Sequence, residues 1–268
     1  MKVNEYMKLH DKIARQGEGN MVLTEALEAY GKYFKSIAIM VLPVGILVGL
    51  ILLGISNSRN ETMQLMMAFN VPGWLLSPFW IGPLICGLSL YGSEQEFSYK
   101  TAVHNGLRPW WKLMTVALIV IGIKYIPVAV GEIFPELKTL ILLFTWVIVA
   151  FLFALYVFIW PVLALESRGP LETLRRCAAL SKGRRVNIIF EFIALWLLIY
   201  VVSFIMRILL GALANLIGGM ASTYITFILI IGMIQPMMYA LIVVWIYFYY
   251  LECRGDGVVD NRGDKYDF

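Results

Sequence analysis

The sequence predicts an all-α, polytopic membrane protein: six transmembrane helices built as three parallel helical hairpins, each preceded by a short cytoplasmic interfacial helix. Three observations predict it. The 268 residues are 60% hydrophobic and 15% charged, whereas a soluble domain is about 25% charged. Six stretches reach the roughly 20 apolar residues that a bilayer core requires. Nearly all basic residues fall on one side of those stretches. Such a composition excludes a soluble fold, a disordered chain, a disulfide scaffold and a coiled coil.

The six stretches are Ser36–Ser56, Val71–Gly92, Leu113–Val130, Thr139–Leu165, Val186–Leu210 and Tyr224–Leu251. The segment before the first carries acids as well as bases. It is too long and too acidic for a cleavable signal peptide, so the first span is expected to be retained.

Lys2, Lys8, Lys12, Arg15, Lys32 and Lys35 precede span one, and Lys100, Arg108 and Lys112 follow span two. Arg168, Arg175, Arg176, Lys182, Arg184 and Arg185 follow span four, and Arg254, Arg262 and Lys265 close the chain. These are 18 of the 22 Lys and Arg residues; Arg59 and Lys138 lie opposite, and Lys124 and Arg207 lie within spans. The asymmetry predicts the cell membrane, with both termini cytoplasmic. Topology thus accounts for the net charge of +4, and no nucleic acid partner is expected. Cys86, Cys177 and Cys253 have no partner across an oxidising loop and are expected as free thiols.

An internal repeat organises the chain. Ile81-Gly82-Pro83, Ile159-Trp160-Pro161 and Ile234-Gln235-Pro236 share one tripeptide pattern, on the returning span of each pair. A short helical stretch precedes each pair. A unit with two spans starts and ends on one side, so three units must be parallel repeats about an axis along the membrane normal. The units are residues 21–97, 98–168 and 169–252, between a cytoplasmic segment, 1–20, and a tail, 253–268.

Periodicity describes the short helices. In the first, Leu23, Ala26, Leu27, Tyr30 and Phe34 share a face. In the third, Gly169 is a candidate N-cap with Pro170 at the first helical position, and Leu171, Leu174, Cys177, Ala178 and Ser181 form a narrow face flanked by bases. A basic amphipathic helix of this kind lies in the headgroup plane, so Arg175, Arg176, Lys182, Arg184 and Arg185 are candidates for contact with anionic lipid or a protein partner.

Two segments carry a family resemblance. One runs from Pro161 through Glu166, Gly169, Leu174 and Arg175 to Lys182-Gly183; the other is Tyr249-Tyr250-Leu251-Glu252-Cys253-Arg254-Gly255-Asp256-Gly257. With Glu25-Ala26-Leu27 and Tyr33-Phe34-Lys35, the chain resembles the membrane domain of some bacterial glycerophosphoryl diester phosphodiesterases and related six-span bacterial and archaeal families of unknown function. The resemblance implies the six-span fold. In those phosphodiesterases catalysis belongs to a separate soluble barrel, of which these residues hold no part. Cys177 stands where the pattern has Ser.

Chemistry is sparse. His10 and His104 are the two histidines, in different segments and without a carboxylate arrangement that suggests a metal. No phosphate-binding loop, dinucleotide fingerprint or nucleophile elbow occurs. The outer-loop methionines Met63, Met66 and Met67 read as an apolar lid. No catalytic residue, metal or cofactor is expected.

Ionisable groups within spans carry a functional hypothesis. Glu191 is expected about 8 Å into span five, facing the bundle or paired with Arg184 or Arg185. Lys124 and Arg207 can snorkel outward. Gln235 is expected to help satisfy the carbonyl that Pro236 leaves without a donor. Gly45 and Gly49 offer a close helix contact. Trp245, Tyr247, Tyr249 and Tyr250 read as an interfacial aromatic belt. These features predict a non-enzymatic scaffold, or lipid-organising or partner-docking module, at the cytoplasmic face. The alternative is a solute or lipid transporter whose path along the threefold axis is lined by Glu191, Lys124 and Gln235.

Overall fold

The computed structural model describes residues 20–56, 71–92, 99–134, 155–166, 169–217 and 232–255, with single positions at Glu136, Leu140, Phe144, Leu152 and Phe153. The side chains of Lys124 and Arg207, the loop with Met63, and His10 lie outside this set. Among the described residues every regular element is a helix. In chain order these are α1 (Asn20–Lys32), α2 (Phe34–Ser56), α3 (Val71–Leu76), α4 (Pro78–Gly92), α5 (Tyr99–Leu107), α6 (Trp110–Ile133), α7 (Ile159–Leu165), α8 (Pro170–Leu180), α9 (Arg185–Ile217) and α10 (Gln235–Gly255).

Three helical stretches are long and apolar enough to cross a membrane: Phe34–Ile55, Arg185–Ala212 and Gly232–Arg254. Pro78–Leu90 and Trp110–Ile119 are shorter apolar stretches. Much of the first half of the expected fourth span, and the start of the sixth, lie outside the described residues.

The expected second span is two helices. Pro78 has no N–H for the carbonyl of Trp74, one turn earlier, and it disfavours helix at Ser77. Ser77 supplies the missing donors: its hydroxyl and its backbone N–H both reach the Trp74 carbonyl, at 2.7 and 3.3 Å. Pro83 lies inside α4, which continues past it. Pro236 is handled differently. The chain opens into a π turn over residues 232–234 just before it. Gly45 of α2 packs onto the Gly232 carbonyl, the group that Pro236 cannot serve; a Cβ at Gly45 would strike that oxygen and come within 2.8 Å of Pro236 Cγ. Gln235 does not fill that role. Its amide donates to the Tyr239 hydroxyl at 3.1 Å.

The returning helices α4, α7 and α10 touch one another. Their shared core holds Ile81, Leu84 and Ile85 of α4, Val162 of α7, and Ala240, Leu241 and Val244 of α10, all buried. Each short helix lies against one of them: α5 on α4, α8 on α7, and α1 along α10. Gly106 makes the α5 contact close, since a Cβ there would enter the backbone of Gly82 and Pro83.

Two of the expected helix faces are rotated. In α1 the buried residues are Val22, Ala26 and Ala29, while Leu27 and Phe34 are exposed. Alanine lets α1 approach α10 closely, and Tyr30 donates its hydroxyl to the Met237 carbonyl at 2.9 Å. In α8 the buried face is Thr173, Cys177, Leu180 and Ser181, and Leu171 is 73% exposed. Here the hydroxyls lead: Thr173 donates to the Gly169 carbonyl at 2.9 Å and Ser181 to Ala178 at 3.3 Å. Gly169 is the N-cap and Pro170 opens the helix, as the sequence indicates.

Candidate functional site

Three carboxylates, two arginines and two polar ring tips converge near the C-terminal end of α10. That end is aromatic: Trp245, Tyr247, Tyr249 and Tyr250 are at most 3% exposed. They are not a belt facing lipid but the core of this end. An aromatic ring with a polar tip can be buried when the tip finds a partner, and two of these tips find carboxylates.

The Trp245 indole N–H donates to Glu191 Oε2 at 3.0 Å. The Tyr250 hydroxyl donates to Glu166 Oε1 at 2.7 Å. Phe192, beside Glu191, lies between Trp245 and Phe153, with ring centroids at 6.3 and 4.0 Å. Phe158 packs on both Tyr249 and Tyr250.

Two ion pairs tie α8 and the start of α9 to this core. Arg176 Nε of α8 lies 3.5 Å from Glu166 Oε2, and the two side chains are 11% and 8% exposed. Arg184 Nη1 lies 2.6 Å from Glu252 Oε1 with side chains 30% and 24% exposed, and it also reaches Cys253 Sγ at 4.0 Å. The first pair is shielded from water and the second is partly wet. Of the two placements expected for Glu191, facing the bundle or pairing with Arg184 or Arg185, its carboxylate takes the first, against Trp245 of α10. Arg184 is held by Glu252 instead, because α9 starts beside the C-terminal end of α10.

Glu191 and Gln235 lie at different levels along α10. Tyr30, just ahead of α2, bonds Met237, and α2 runs opposite to α10, with Gly45 against Gly232. Trp245 is eight residues beyond Met237, about 12 Å further along the helix. Glu191 is held at the level of Trp245. Gln235, ten residues before Trp245, is about 15 Å away from that level. The two are not brought together.

Arg175 is exposed on α8, Lys182 is exposed in the turn that follows it, and Arg185 is half-buried at the head of α9. Of the five candidate bases, Arg176 and Arg184 are thus held by carboxylates. Lys124 and Arg207 belong to the backbones of α6 and α9. His104 is exposed on α5.

Burial fixes the protonation of two groups outside the spans. It pushes the Cys177 thiol up to about 12, with the nearby Glu166 charge adding to the effect. It pushes the Tyr30 hydroxyl up to about 12 as well. Cys177 is therefore a neutral packing residue rather than a thiolate nucleophile.

Sequence reasoning missed Glu166 and the partner of Glu191. Glu166 stood at the end of an apolar run in the quoted motif, but only packing shows that Tyr250 and Arg176 meet it. Compared with protein-family models, curated proteins and solved structures, the chain matches none of them.

Proposed function

We propose that the protein is a non-enzymatic, six-span scaffold of the cell membrane that organises anionic lipids, or docks a partner, at its cytoplasmic face. Its membrane part is read as three parallel hairpins from the repeat spacing, and the resemblance to the phosphodiesterase membrane domain implies the six spans.

One observation carries the functional reading. The contact among α4, α7 and α10 is filled with apolar side chains, with Ile85, Val162 and Val244 fully buried. A solute path along a threefold axis would need polar groups there. Three carboxylates and two arginines gather instead near the C-terminal end of α10, where they fasten α8 and leave Arg175 and Lys182 outward. A fixed helix with outward bases is suited to a charged membrane surface, where each base contributes about 1 kcal/mol.

The threefold arrangement has support in the same contacts. The short helix of each unit lies on the returning helix of the unit before it in cyclic order: α5 on α4, α8 on α7, α1 on α10. The Cys86 thiol reaches the Ala164 carbonyl at 4.0 Å across 78 residues, the same spacing that separates Pro83 from Pro161.

The test is lipid retention by the full chain in nanodiscs, read by native mass spectrometry, beside solute flux in proteoliposomes. Wild-type protein is expected to retain anionic lipids, and the triple variant Arg175→Gln, Lys182→Gln, Arg185→Gln to retain fewer. Glu191→Gln is expected to change neither retention nor flux. Flux above protein-free vesicles that is lost in Glu191→Gln would overturn the scaffold in favour of the transporter.

A further inference from the structure

We propose that the elbow between α5 and α6 is a binding site for the headgroup phosphate of an anionic phospholipid. The inference rests on the lipid-organising reading above and names the place where the tightest lipid is held.

Lys100, His104 and Arg108 recur every four residues along α5 and its end. That spacing forms one stripe about 12 Å long. All three are exposed and line an open groove of about 640 Å³. Among the described residues none of them is paired with a carboxylate. Arg176 and Arg184, by contrast, are held by Glu166 and Glu252. α5 therefore carries its own stripe of bases open to an outside anion, in addition to Arg175 and Lys182 at α8.

The other wall of the groove is apolar: Tyr99, Leu107 and Trp110. Trp110 and Trp111 are 49% and 53% exposed, at the first turn of α6, where the chain changes from polar to apolar. Indole rings prefer the headgroup level of a bilayer. A free phosphate would use only the base stripe. A phospholipid uses both walls, with its phosphate on the bases and its glycerol and upper acyl carbons on Trp110 and Leu107. The Lys112 ammonium, 5.7 Å above the Trp111 ring, adds charge beside the elbow. The groove is held in shape because Gly106 locks α5 against Gly82 and Pro83, so little ordering is left to binding.

The experiment uses the full chain in phosphatidylcholine nanodiscs doped with phosphatidylglycerol, with inorganic phosphate as a separate probe in detergent. Wild-type protein is expected to hold one phosphatidylglycerol more tightly than phosphatidylcholine. Lys100→Gln with Arg108→Gln is expected to weaken that lipid roughly 30-fold, about five-fold per base. Lys100→Arg with Arg108→Lys is expected to keep it. Trp110→Leu is expected to weaken it with the bases intact, and serves should the double Gln variant not fold. Unchanged retention in the double Gln variant or in Trp110→Leu overturns the site. If the Arg175, Lys182 and Arg185 triple variant then loses lipid, the lipid-organising reading stands and only the elbow is wrong. If neither set loses lipid and phosphatidylglycerol is not preferred, both fall. Inorganic phosphate that binds and displaces the lipid at equal affinity makes the elbow a phosphate site and overturns the lipid assignment.

Discussion

Arg184 and Glu252 lie 68 residues apart in sequence and 2.6 Å apart in space. The pair joins the start of α9 to the end of α10, with side chains about a quarter exposed. A pair this wet is worth about 0.2–1 kcal/mol and weakens with salt. A double-mutant cycle of Arg184→Gln and Glu252→Gln, read by unfolding in detergent, is expected to give a coupling in that range that shrinks at high salt. A coupling several-fold larger would mean that the pair is dry.

Glu166 and Arg176 are expected to behave otherwise. Both are about nine-tenths buried, so removing one charge strands the other in a medium that solvates it poorly. Arg176→Met or Glu166→Gln alone is expected to cost about 3–5 kcal/mol. The double variant is expected to recover much of that loss. Equal costs for the single and double variants would contradict the pairing.

The two close glycine contacts predict opposite outcomes from a third glycine. Gly45→Ala and Gly106→Ala force a methyl against backbone atoms and are expected to destabilise by about 1–3 kcal/mol. Gly122→Ala meets nothing within 4 Å and is expected to be neutral or to stabilise by about 0.5–1 kcal/mol. Thermal unfolding of the three variants checks the contrast.

Cys177 gives a pH dependence. Burial raises its thiol from an ordinary 9.0 to about 12. Between those values the unfolded chain loses the proton and the folded chain keeps it. The contribution is therefore full below pH 9 and falls as pH rises towards 12. On a Cys86→Ala, Cys253→Ala background, alkylation at pH 9 is expected to label the denatured chain rapidly and the folded chain slowly. Cys177→Ser is expected to flatten the alkaline slope of stability.

Parts of this architecture were legible because single residues carry the signal. Apolar runs gave the long helices, and Gly169-Pro170 gave the start of α8. Pro78 marks the break before α4, yet the apolar run through it reads as one span, because hydropathy is blind to a lost donor. The aromatic residues of α10 were read as facing lipid. Apolarity cannot say whether a ring meets an acyl chain or a neighbouring helix; that depends on whether Glu191 and Glu166 arrive beside it. Likewise the basic loops were visible, but which bases remain for an outside anion is decided by Glu166 and Glu252. The faces of α1 and α8 were misread because bulk hydrophobicity points to leucine, whereas close approach selects alanine, threonine and cysteine.

The 33 residues of α9 make a rod about 50 Å long, and its apolar part, Arg185–Ala212, is about 42 Å. The hydrocarbon slab of an average bilayer is about 30 Å. Crossing such a slab upright would leave about two apolar turns in water, so a bilayer-spanning α9 would have to slant or gather thicker lipid around itself. Among the described residues the first turns are held by Glu191 on Trp245 with Ile188 and Leu195 buried, whereas Leu197, Phe204 and Ile208 farther along are more than half exposed, so the slant is restrained mainly at one end. For a bilayer-spanning α9, membrane thickness and helix tilt would then be linked.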